Sequence, residues 1–257
     1  MTLREQYVAY STIVVREVRR FTRIWIQTIL PAMITTALYF VIFGNLIGSR
    51  IGDMEGYRYI DYIIPGLILM SIITNSYANV VSSFYSAKFQ KNIEEMLVSP
   101  VPNYVILLGF VSGGVARGLS CGIAVTIVAM FFSSSGVEHL LVVLTIAVLT
   151  AILFSLGGFI NAVFAKSFDD ISIIPTFVLT PLTYLGGIFY TISVLPEFWQ
   201  GVSLVNPILY MVNAFRYGVL GASDINIVTS YVIIAAFIVA LFLFSLYLLE
   251  KGHGIRK

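Results

Sequence analysis

Apolar residues in this chain fall in charge-free runs long enough to cross a bilayer: Ile24–Ser49, Tyr62–Ala87, His139–Ala165, Ile171–Pro196 and Ile225–Leu249. A transmembrane helix needs about 20 such residues. A further apolar tract between Glu95 and Glu138 is interrupted only by Arg117. A membrane barrel would instead show short alternating segments, so the pattern predicts an all-α, polytopic membrane protein. Six spans are expected, at 24–47, 62–85, 104–132, 140–164, 171–190 and 227–249. The third, as a straight helix, would be roughly 44 Å long at about 1.5 Å per residue. That is too long for one perpendicular crossing of about 30 Å and too short for two, so one span, tilted or beginning in the interface, is expected. Phe198–Leu220 is apolar enough for a seventh span, but Pro196 and Pro207 break it. A pair of re-entrant or interfacial helices within 194–220 is expected there.

Two stretches are amphipathic rather than apolar. Leu3, Tyr7, Tyr10, Val14, Val18 and Phe21 form a stripe with arginines opposite, which predicts an interfacial helix over 2–22. Phe89, Ile93, Met96 and Leu97 share one face of a helix over 88–98, which Ser99-Pro100-Val101-Pro102 stops. Its lysines, Lys88 and Lys91, precede its glutamates, Glu94 and Glu95. That order opposes the macrodipole of a helix with its own N-terminus. Either the lysines snorkel at the end of the second span, or the helix docks a partner.

Charge then sets orientation. Only 11% of residues are charged, against about a quarter in soluble domains. Eleven of the 15 basic residues fall on one side of the six-span frame: Arg4, Arg16, Arg19, Arg20, Arg23, Lys88, Lys91, Lys166, Lys251, Arg256 and Lys257. Positive residues stay inside, so both termini and the 88–98 helix are expected in the cytoplasm. A seventh span would move the basic tail outside. The first apolar run is too long for a signal-peptide core and reads as a signal anchor.

Candidate chemistry is sparse. No lysine follows a glycine, so a P-loop for ATP is excluded. No HExxH occurs, and the two histidines, His139 and His253, have no metal-ligand spacing. The single Cys121 permits no disulfide within the chain. A non-enzymatic transporter is expected, with no cofactor or metal of its own. Within the spans, Ser71, Asn75 and Asn79 form a polar stripe, read either as helix–helix glue or as substrate contact. The pairs among Gly109, Gly113, Gly114, Gly118 and Gly122 are close-packing patterns around Arg117. Arg117 is read as a structural intramembrane charge, with Asp169 or Asp170 as its candidate partner. Pro175, Pro181 and Gly186-Gly187 predict a kinked fifth span.

The order of these parts resembles a known family. A basic amphipathic helix, six spans, a helix ending "EEMLVSPVP" and an outer segment "LPEFWQGVSLVNPILYMVNAFRYGVLG" together resemble an ABC-2 type transporter permease, of the small six-span, type V exporter-like group in the bacterial inner membrane. The most specific pieces are Glu95-Met96-Leu97-Val98-Ser99-Pro100, Asn206-Pro207 with Tyr210, and Phe215-Arg216-Tyr217-Gly218. The resemblance implies a homodimer with two separate ATPase subunits, which hold ATP and magnesium. It implies a coupling helix that docks through Phe89, Lys91, Glu94, Glu95 and Leu97, and a connecting helix contributing Arg16 and Arg20. It also implies a translocation path along the first, second and fifth spans, including Tyr39, Asn75, Asn79, Pro181 and Tyr184. Asn206, Pro207, Tyr210, Phe215 and Arg216 would belong to the outer gate. The implied activity is export of an amphipathic drug, lipid or glycolipid, against the alternative of a stand-alone secondary transporter or channel.

Overall fold

A computed structural model describes residues 1–133, 136–252 and 254. His253, Arg256 and Lys257 of the basic tail lie outside the described residues. Helix α1 (Leu3–Arg23) opens on a capping box, in which the Thr2 hydroxyl accepts from Glu5 N and Glu5 accepts from Thr2 N. The short α2 (Trp25–Thr28), α3 (Leu30–Tyr39) and a π-helical stretch (Phe40–Ile47) continue the first apolar run. After α4 (Gly48–Ile51), strands β1 (Asp53–Met54) and β2 (Tyr57–Arg58) form a two-stranded antiparallel hairpin. Its turn residues, Glu55 and Gly56, both have positive φ, the geometry that matches strand twist in tight hairpins.

Helix α5 (Tyr59–Phe89) is the hub of the molecule and is buried along most of its length. It packs mainly on α7 (Asn103–Ala129) and α8 (Leu140–Phe164). The third run thus forms one helix that stops three residues before the expected 132, where Met130–Phe132 turn. Its glycines allow close approach on two sides. A Cβ on Gly109 would lie 2.6 Å from Ile13 and one on Gly113 would lie 2.5 Å from Glu17, both on α1. A Cβ on Gly118 would collide with Ser76 Oγ of α5, and one on Gly122 would lie 2.6 Å from Ile72.

The face of α1 buried within the protein meets the stripe expected to lie in the interface only at Phe21. Ile13, Glu17 and Phe21 are buried, whereas Leu3 is 84% exposed and Tyr7 69% exposed. The reason is the glycine-lined surface of α7, which accepts the face carrying Ile13 and Glu17.

The helix expected over 88–98 is two pieces. Lys88 and Phe89 end α5, Lys91 takes a left-handed φ of 62°, and α6 spans only Asn92–Val98. Glu94 and Glu95 therefore stand in the first turn of a separate helix, where they favour the macrodipole rather than oppose it. Lys88 does not reach the solvent side of α6. Its Nζ donates to the carbonyls of Val163 (2.6 Å) and Ala165 (2.7 Å), capping the C-terminus of α8.

The fifth run is interrupted. Helix α9 (Asp170–Ile174) passes into a π-helical turn at Pro175–Leu179 and resumes as α10 (Thr180–Tyr184). Regular helix then ends six residues short of the expected 190, because Gly187 takes φ +73°. A 3-10 turn (Ile192–Val194), α11 (Glu197–Leu204) and α12 (Pro207–Leu220) follow, and α13 (Ile227–Lys251) closes the chain against α8 and α12. Among the described residues, five helical segments are long and apolar enough to cross a membrane: Trp25–Gly44, α5, α7, α8 and α13.

Candidate functional site: a polar cleft between helices and a basic cavity below it

The polar stripe of α5 organises the interior. Asn79 is fully buried, and its Oδ1 and backbone carbonyl accept from Arg20 Nη2 at 2.8 and 2.9 Å. Arg20 also lies 3.3 Å from Glu17 Oε2, whose side chain is 1% exposed. One turn further along α5, Asn75 Oδ1 accepts from Arg117 Nη2 at 3.4 Å, while Asn75 Nδ2 donates to Ser71 O at 3.0 Å. Two arginines from two helices therefore meet two asparagines spaced one turn apart on a third.

Neither Asp169 nor Asp170 pairs with Arg117. Asp170 Oδ2 instead accepts from the backbone of Lys166 (2.8 Å) and Ser167 (3.1 Å) in its own loop. Geometry explains the separation. Arg117 lies 14 residues into α7, roughly 21 Å from its start at about 1.5 Å per residue, whereas Asp169 and Asp170 sit beyond the end of α8.

Arg117 lines a cleft of about 290 Å³ together with Gln27, Thr35, Tyr39, Ser71 and Asn75. Tyr39 and Asn75 thus share one wall, and the Tyr39 hydroxyl lies 3.5 Å from that of Tyr184. Phe43 and Phe189 pack against the Tyr39 ring at 5.7 and 5.9 Å between centroids. Asn79 is not in the cleft wall, being enclosed beneath Arg20, and Pro181 is exposed on α10. The contributions of Gln27 and Thr35 were legible but unread. Gln27, Pro31, Thr35 and Tyr39 recur every four residues, one face of a helix.

At the basic end, α1 and the end of α5 enclose a cavity of about 900 Å³. Arg16, Arg19, Arg20 and Arg23 line it, with Ser86, Gln90 and Asn92 opposite. The start of α6 therefore borders the same cavity as α1. Arg16 bonds Glu17 at 3.2 Å and lies 5.3 Å above the Phe110 ring, and Arg20 is turned inward onto α5. Of the residues singled out on 88–98, Glu94 and Glu95 are exposed and Leu97 is half-buried. Phe89 is 65% exposed and packs edge-on against Phe168 at 5.2 Å. Ile93 is the anchor, fully enclosed.

The opposite end is held by side-chain bonds to turns. Asn206 Oδ1 caps α12 by accepting from Ile208 N at 3.0 Å, and its Nδ2 donates to Leu182 O at 2.6 Å. Pro207 occupies the first helical position. The Tyr210 hydroxyl donates to Leu204 O at 2.7 Å. Arg216 is 1% exposed, donates to Gly187 O at 2.6 Å and stacks 3.9 Å from the Tyr62 ring centroid. Phe215 is buried beside it.

Gly118-Leu119-Ser120-Cys121-Gly122 has the G-x-S-x-G spacing of a hydrolase nucleophile elbow. An elbow is a strand-to-helix turn, whereas these residues lie within α7 and Ser120 donates to Ala116 O at 2.8 Å. The spacing here serves helix packing.

The family described as ABC-2 type transporter matches residues 8–220. The chain is 58% identical to the inner membrane transport permease YadH of Escherichia coli (strain K12), over 98% of each protein. It is 23% identical to nodulation protein J of Rhizobium leguminosarum bv. viciae, over 88% of each. The chain belongs to the ABC-2 type transporter family, as a multi-pass transport permease of the inner membrane.

Proposed function

We propose that this permease is the membrane half of an ATP-driven exporter that moves an amphipathic drug, lipid or glycolipid. Family membership implies an ABC ATPase partner. The proposal adds two permease copies around a two-fold axis, two ATPase subunits that hold ATP and magnesium, six spans and cytoplasmic termini. The segment Asp170–Tyr184 would be the sixth crossing, made short by its π turn and completed by α11 and α12 as an outer cap. The observation that carries the reading is the shared cavity at the basic end. Helices α1 and α6 border one space rich in arginine, and Glu94 and Glu95 stand exposed on α6. A partner seated there would touch both helices, and α6 follows directly on α5, whose middle turns border the cleft. In this reading α1 is the connecting helix, α6 with Phe89 and Lys91 is the coupling element, and 194–220 is the outer gate. Arg16 and Arg20 would act by holding α1 on α5 and α7.

The test is co-purification of the permease with its ATPase after reversal of both glutamates (Glu94→Lys with Glu95→Lys). Membrane insertion is expected to persist, while ATPase recovery and transport-coupled hydrolysis are lost. Transport that continues in the double variant overturns the docking assignment, and transport without any ATPase favours the stand-alone transporter.

A further inference from the structure

Arg117 is a cation in the middle of a span, and such residues pair with one another or mark a pathway. Arg16–Glu17, Arg20–Glu17 and Arg58–Asp61 pair as ions. Among the described residues, no carboxylate pairs with Arg117. Its bond to Asn75 Oδ1 is long at 3.4 Å, and its Nε has no partner. The Cys121 thiol, one turn on along α7, also hydrogen-bonds it, and the cation that acts on it is Arg20. A guanidinium offers five N–H donors in a planar fork that matches two-oxygen anions, and here Asn75 and Cys121 take only part of it. It borders a cleft whose other walls supply hydroxyls and amides from Gln27, Thr35, Tyr39 and Asn75.

We propose that this cleft binds the anionic headgroup (phosphate, sulfate or carboxylate) of an amphipathic substrate, with Arg117 as the binding cation and Asn75 as the residue that orients its fork. The assignment rests on the reading that the cleft lies on the transport path. The size supports a headgroup rather than a whole amphiphile: about 290 Å³ is at the lower bound for drug-sized pockets. Ile34 and Leu38, on the same helix as Thr35 and Tyr39, are exposed and give an apolar tail a surface to follow out of the cleft.

The experiment uses the full permease in lipid nanodiscs with two photoreactive probes of identical tail, a lysophosphatidic acid and a net-neutral lysophosphatidylcholine. In the wild type the acidic probe is expected to label 27–39 and 70–75 in preference to the neutral one. Arg117→Gln should lower that labelling by about tenfold or more, the weight of a lost charge-assisted pair. Should this variant fail to accumulate, Asn75→Asp reads the same point, because it keeps the side-chain shape and places a carboxylate against Arg117. Acidic-probe labelling within about twofold of wild type, well under the weight of such a pair, in whichever variant accumulates overturns the proposal. So does equal labelling by both probes in the wild type. Inorganic phosphate is the competitor. Retained labelling in its presence supports an amphiphile, and displacement by it overturns the amphiphile in favour of a free oxyanion. Binding is read without the ATPase, so this proposal and the docking assignment fail separately.

Discussion

Glu55 shows how a single turn residue ties two loops together. It sits in the β1–β2 turn with φ 53°, facing the Asp224 carboxyl of the α12–α13 loop. Burial first, then the hydrogen bond and repulsion from Asp224, raise its pKa from 4.5 to about 7, against a lowering influence from Arg216. A carboxyl whose folded pKa is raised binds more protons folded than unfolded, so its contribution is complete below about pH 4.5 and is lost as pH rises through about 7. The hairpin is therefore expected to hold to the 221–226 loop at pH 5 and to loosen by pH 8. Hydrogen exchange of residues 53–58 across that range measures this. Glu55→Gln should flatten the profile, because an amide keeps the bond without titrating; an unchanged profile in that variant would refute the assignment.

At the scale of elements, the glycines of α7 decide where α1 sits. Gly113 faces Glu17 and Gly109 faces Ile13, each with less than 3 Å for a Cβ. Gly113→Leu is expected to push α1 off α7 and to break the Arg20–Asn79 bond with it, at about 1–3 kcal/mol for an overpacked contact. A lower unfolding temperature, with protease cleavage appearing within 3–23, would register the change. Gly201→Leu, at an open position, is the control and should behave as wild type. The close-packing glycines were legible in the sequence, since small residues four apart on an apolar helix have few other uses. The bounds of α8 were equally legible, because apolar character starts and stops sharply there. What could not be read was partner choice. Nothing local says that Glu17 is buried, since its enclosure depends on Arg16 and Arg20 from its own helix and on the glycine-lined side of α7. The break at Lys91 was hidden because no glycine or proline marks it. The Arg117 site was half visible: the arginine stood out, but its asparagine partner lies 42 positions away and is neutral, so two aspartates of opposite charge outweighed it.

For the whole molecule, burial is uneven in a way that bears on assembly. The window of the first span is 17% buried within the chain, whereas that of α5 is 78% buried. α13 is also little covered, at 22%, so exposure alone does not separate a lipid-facing helix from one awaiting a protein neighbour. Polarity does. The exposed positions of α13, such as Val232 and Val239, are apolar and suit lipid tails. The first span instead borders the cleft with Gln27, Thr35 and Tyr39, and polar groups facing hydrocarbon carry a cost of several kcal/mol each unless they are covered. The proposed second copy of the chain would meet that need, with the first spans of both copies flanking a shared axis. In a Cys121→Ser background, Leu38→Cys is expected to form an intermolecular disulfide in native membranes under mild oxidation, and Val239→Cys is expected to remain monomeric under the same conditions. Both positions are exposed to a similar degree in the single chain, so burial within the chain does not separate them. Equal crosslinking at the two positions, or none at Leu38 with full membrane expression, would place the dimer axis elsewhere and leave the cleft opening to lipid.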